Sequence, residues 1–74
     1  MKTILDCEKD KSYLIKKLHT TGSLRQRFIS FGIIKGTAIK YLNATKFEST
    51  HEIQVGKMNI ALRKEEAMKI EVEL

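Results

Sequence analysis

The chain has 74 residues, 42% hydrophobic and 31% charged, with a net charge of +5 and one cysteine. That length allows one domain over residues 1–74, with a core burying only roughly 60% of the unfolded surface. A single cysteine, Cys7, excludes an internal disulfide and favours a reducing, cytoplasmic setting. No apolar run approaches signal-peptide or membrane-span length, so no membrane insertion is expected.

Met1 to Lys11 is polar apart from Ile4 and Leu5, which are expected to pack against the domain. Asp10-Lys11-Ser12 reads as a turn. Tyr13 to Leu18 is the first strand, with Leu14, Lys16 and Leu18 on one side and Tyr13, Ile15 and Lys17 on the other. Neither side is cleanly apolar. Thr20-Thr21-Gly22-Ser23 then offers a turn and hydroxyls suited to capping a helix.

Ser23 to Thr37 organises the rest. Leu24, Arg27, Phe28 and Phe31 follow the i, i+3, i+4, i+7 spacing of one helical face. Such a short helix is stable only if its apolar face is buried. Gly32 is placed to end it in the left-handed region, and Gly36 makes a second turn into a strand over Thr37 to Ala44. In that strand Ile39 and Tyr41 share a face opposite Ala38 and Leu42. Thr45 to Thr50 reads as a loop, with Phe47 exposed or folded over an edge. His51 to Val55 is a third strand, and Gly56-Lys57 suits a type II′ hairpin turn. Met58, Ile60 and Leu62 alternate with Asn59, Ala61 and Arg63 in a fourth. Lys64 to Ala67 makes one helical turn, and Lys69 to Leu74 closes the chain with Ile70, Val72 and Leu74 inward. About five short strands with one inserted helix suggest a mainly β, closed or nearly closed barrel, since closure removes unpaired edges.

Catalysis has no visible motif. The two glycines lack the pattern of a phosphate-binding loop, and no Ser, His or Asp sits in a nucleophile motif. The chain therefore reads as a non-enzyme. Metal candidates are sparse: Cys7 flanked by Asp6 and Glu8, His51 beside Glu52, and His19 alone, without the paired spacing of a structural zinc site. The charge of +5 points to an acidic partner. Nucleic acid is not expected, because Phe47 is the one plausible base-stacking aromatic.

Two segments carry a family resemblance. Arg27-Phe28-Ile29-Ser30-Phe31-Gly32-Ile33-Ile34-Lys35-Gly36-Thr37 resembles the Arg-Leu-x-x-Leu-Gly-x-x-Pro-Gly-x segment of the FeoA (ferrous iron transport protein A) family. Ile60-Ala61-Leu62-Arg63-Lys64-Glu65-Glu66-Ala67-Met68-Lys69-Ile70-Glu71-Val72 resembles that family's closing segment. The resemblance implies an SH3-like β-barrel and a cytoplasmic accessory or regulator of FeoB, the ferrous iron permease with a cytosolic GTPase region. The departures are Lys35 for proline, Phe28 and Phe31 for leucines, and Asp10-Lys11-Ser12 where a glycine often precedes the first strand. The same fold resembles the C-terminal domain of iron-dependent repressors. With Met1 opening the chain and no helix-turn-helix ahead of it, the accessory reading is expected instead.

Within this frame Phe28, Phe31, Gly32, Gly36, Leu62 and Ala67 are architectural, and Arg63 and Glu66 are spaced to pair. Arg25, Arg27, Lys35 and Lys64 are the basic residues expected to face the partner. The alternative reading is direct binding or sensing of ferrous iron or another transition metal through Cys7, His19 or His51. A third is a small nucleic-acid-binding barrel. The sequence is also compatible with a homo-oligomer.

Overall fold

A computed structural model describes residues 1–45, 47 and 49–74. Its elements are β1 (Ser12–Leu18), α1 (Gly22–Ser30), β2 (Ala38–Ala44), β3 (Thr50–Val55), β4 (Met58–Arg63), α2 (Lys64–Ala67) and β5 (Ile70–Glu73). The order is the one expected from the alternation of apolar residues. All pairings are antiparallel, in the sheet order β4-β3-β2-β1-β5. The fold is the expected mainly β, SH3-like one. The two outer strands β4 and β5 are consecutive in the chain and joined through α2. The outer edge of β5 is covered by the N-terminal segment: the Val72 N–H donates to the Lys2 carbonyl, and Thr3 bridges Glu71.

Two bulges curve the sheet, and the one in β1 accounts for that strand's mixed faces. Ile15 and Lys17 oppose Val72 and Glu71, so Lys16 is an extra residue in β1. Leu42 is likewise extra between Tyr41 and Asn43. An extra residue reverses the side on which every later side chain emerges. Leu18 therefore shares the inner side with Ile15, not the outer side with Leu14, and packs against the core. Lys16 and Lys17 both end up exposed.

The core is built from alternate residues of all five strands together with Ile4, Phe28, Ile33 and Ala67. Phe28 is fully buried, with Leu24 and Phe31 half-buried beside it, so the helix face is the predicted one. Met58 and Leu74 are not inward as the alternation suggests. Met58 follows directly on the hairpin turn, and Leu74 lies past the end of β5; both are exposed. Gly56 at φ 60, followed by Lys57 outside the left-handed region, fits the type II′ turn. The turn before β1 runs over Glu8–Lys11, ahead of its expected place, with Ser12 already in the strand. Asp10 there has φ 64, the left-handed backbone that Asp adopts more readily than most residues with a side chain. Lys46 and Glu48 of the expected loop lie outside the described residues; Phe47 is exposed.

A 3₁₀ turn over Ile4–Asp6 was not anticipated. Its signal was in the sequence: Thr3 accepts from the Leu5 N–H while its own N–H donates to Asp6 Oδ2, a capping box. This turn anchors Ile4 in the core.

Candidate functional site

The helix α1 ends in a double closure. The Ile33 N–H donates to the Phe28 carbonyl and the Gly32 N–H to that of Ile29, at 2.9 Å each. This is the Schellman pattern, and it needs the φ of 85° that Gly32 adopts. Four residues on, Thr37 N–H donates to Ile34 O across a turn with Gly36 at φ 89°, and Gly36 N–H donates to Ile15 O. A positive φ at the third turn position defines a type II turn, with Lys35 at the position proline favours. Ile33 is thereby sunk into the core while Ile34 and Lys35 are turned outward.

That outward turn forms one wall of a groove of about 550 Å³. Its other walls are the end of β1 and one side of α1, through Arg25 and Ile29. The groove carries four cations, Lys16, Lys17, Arg25 and Lys35, and no carboxylate. Its apolar lining comes from Leu18, Ile29 and Ile34. Thr20 and Thr21 complete it at the N-terminus of α1. Thr21 occupies the N-cap position but makes no side-chain cap, contrary to the expectation for these hydroxyls. Gly22 follows at φ 68°, outside helical backbone. The first-turn amides, which have no partner within the helix, stay uncapped by the Thr21 hydroxyl.

Of the four basic residues expected at a partner surface, Arg25 and Lys35 meet in this groove and Arg27 and Lys64 do not line it. Arg27 is engaged inside the molecule: its Nη1 lies 2.8 Å from Glu66 Oε2. Glu66 Oε1 accepts the Arg63 N–H at 2.9 Å. The expected Arg63–Glu66 side-chain pair is thus replaced by a clasp in which Glu66 ties α2 to α1. The reason is geometric: the Glu66 carboxylate is only 12% exposed and faces the helix, where the Arg27 guanidinium reaches it. Lys16 and Lys17 were missed, because the bulge that turns both outward leaves no mark in the residue alternation.

Lys16 is partly neutralised by Glu71 at 3.6 Å, and Glu71 also lies 2.6 Å from His19 Nε2. The hydrogen bond with His19, with Lys16 adding to it, holds the Glu71 carboxyl below its ordinary value. Lys17, Arg25 and Lys35 have no ion-pair partner among the described residues.

The three metal candidates are held apart. Cys7 is half-buried against the Thr3 carbonyl, and burial pushes its thiol up to about 11, so it presents protonated sulfur at neutral pH. His19 serves Glu71. His51 lies inside the barrel with Nδ1 2.7 Å from the Tyr41 hydroxyl, whereas Glu52 projects from the opposite face of β3. Among the described residues no three His, Cys, Asp or Glu side chains gather into a metal-holding group. The barrel has used these side chains as separate struts.

Comparison with known proteins decides the family. The family model described as "FeoA domain" matches residues 2–74. The chain belongs to the FeoA family. An Fe(2+) transport protein A of Helicobacter pylori is 33% identical over 66 residues, which cover 88% of this chain and 85% of that protein. The solution structure of iron(II) transport protein A from Clostridium thermocellum has a TM-score of 0.90 at 30% identity and covers all of this chain. This chain spans 45% of that one. The manganese-activated repressor ScaR, in its apo form, matches at a TM-score of 0.86 and 22% identity, over 97% of this chain and 34% of the repressor, a likeness of fold. FeoA is a family of ferrous iron transport, and this FeoA-type chain has no described helix long and apolar enough to cross a membrane.

Proposed function

We propose that this FeoA-family chain is a cytoplasmic accessory of ferrous iron uptake that docks on the cytosolic region of the FeoB permease. The observation that carries the reading is the family match over residues 2–74. It is supported by an exposed basic surface that includes Arg25 and Lys35 and has cations unspent within the fold. On this reading the protein contributes binding and regulation, and the transport chemistry belongs to the permease.

The test is a pull-down of the purified chain against the FeoB cytosolic region, paired with ferrous iron uptake in a deletion strain. Capture and a changed uptake rate are expected. No capture together with unchanged uptake overturns the reading.

A further inference from the structure

The groove between β1 and α1 defines what it can hold. It combines cations on its walls with three aliphatic side chains in its lining, and among its lining residues there is no carboxylate and no aromatic. A volume of about 550 Å³ is small for a folded surface but suits a short stretch of chain or one inserted side chain. The uncapped N-terminus of α1 adds a positive partial charge at one end. Three cations with no ion-pair partner among the described residues, Lys17, Arg25 and Lys35, and that helix end converge on one cleft, which selects a ligand bearing several negative charges. The apolar lining demands that the ligand also bring an apolar group, since Ile29 and Ile34 remain over a third exposed when the groove is empty.

We propose that this groove binds an acidic peptide segment of a partner protein, with an aliphatic side chain seated on Leu18, Ile29 and Ile34 and its carboxylates on Lys17, Arg25 and Lys35. The proposal rests on the reading of the chain as a docking accessory and names the chemistry of what docks. Single-stranded nucleic acid is disfavoured because no aromatic lines the groove to stack a base. A membrane surface is disfavoured because the three aliphatic side chains and the lack of an aromatic make too small an apolar face to enter lipid. Lys35 sits on the type II turn and Arg25 on the helix, so two of the anchors are held on separate elements that line one cleft.

The experiment is an amide chemical-shift titration of the full chain with a synthetic peptide of leucine flanked by glutamates. The same peptide with glutamine for glutamate, phosphatidylglycerol vesicles and a single-stranded oligonucleotide are run beside it. Shifts centred on Leu18, Ile29 and Ile34 are expected, with binding that weakens as salt rises. Arg25→Glu/Lys35→Glu is expected to lower peptide affinity by at least about tenfold, and the milder Arg25→Gln/Lys35→Gln to lower it in the same direction. Lys9→Glu/Lys57→Glu makes the same change in net charge outside the groove and is expected to stay within about twofold. Equal binding of the glutamine peptide, equal loss in the two glutamate variants, or tighter binding of vesicles or oligonucleotide overturns the proposal.

The same variants separate this proposal from the permease reading. If the FeoB cytosolic region captures Arg25→Glu/Lys35→Glu as well as the parent chain, the groove is not the dock and the permease reading stands. If the peptide binds in the groove but the permease region captures nothing, the groove proposal stands and the permease reading falls.

Discussion

The two ends of α1 are treated in opposite ways. At the C-terminal end three residues hold the fold, with Phe28 buried, Gly32 closing the last turn and Arg27 gripping Glu66 of α2, while Ile29 beside them opens onto the groove. At the N-terminal end the cap position makes no side-chain bond, Arg25 has no ion-pair partner among the described residues, and the surrounding lysines face a groove. One nine-residue helix thus gathers its fold-holding groups toward the C-terminal end and leaves its N-terminal end without a side-chain cap or an ion pair among the described residues. The groove cation Arg25 and the helix stop at Gly32 are separated by about two turns of backbone, so substitutions at these two ends should read out in different assays.

The largest effect is expected from Phe28→Ala. The side chain is fully buried in the single core, and its removal leaves a cavity under the sheet. A loss of about 3–5 kcal/mol in denaturant unfolding is expected, which in so small a chain leaves little folded protein. Next comes Gly32→Ala. A Cβ there would meet Val55 Cγ1 at 3.5 Å, an ordinary contact, so crowding is not the issue. The penalty is the backbone: an alanine held at φ 85° costs about 1–2 kcal/mol. A loss under about 0.5 kcal/mol would show that the Schellman closure is not needed to end the helix.

These two residues are also where the sequence spoke most clearly. An apolar i, i+4 pair followed by glycine has one physical reading, and the helix face, its stop and the strand entry at Gly36 all follow from it. The alternation in β3 likewise gave the inner face, including Ile53 and Val55. The basic groove was only half legible. Arg25 and Lys35 stood out by charge, yet nothing local could show that Arg27 is consumed by Glu66, a residue far along the chain. Lys16 and Lys17 were hidden for a different reason: a bulge is a property of strand pairing, and it decides side-chain direction without leaving a pattern in either strand alone.

Lys35 lies where the two halves meet. It holds the second position of the type II turn, its N–H makes no hydrogen bond among the described residues, and its side chain lines the groove. Lys35→Pro should therefore divide the two properties. The turn is pre-formed by the fixed φ of proline, raising stability by about 0.4–1 kcal/mol through a less disordered unfolded chain. At the same time a groove cation is lost, and affinity for the acidic peptide falls. If unfolding and peptide titration move in the same direction, the turn and the groove are one unit and the separation fails.

The smallest stability change is expected at Arg25, and it carries the most information about the N-terminal half. Arg25 is the fourth residue of α1, where the positive end of the helix dipole still acts. A cation there is mildly unfavourable for the helix, and in the fold it has no carboxylate to offset that among the described residues. Arg25→Glu should raise helix stability by about 0.3 kcal/mol, read as a small upward shift of the urea midpoint. The same substitution places a negative charge among the lysines of the groove and should weaken the acidic peptide. A residue that lowers stability where it stands, and whose reversal removes binding, is placed for a ligand and not for the fold. If Arg25→Glu instead destabilises the chain by more than about 1 kcal/mol, the arginine belongs to the scaffold and the contrast between the two ends of α1 is lost.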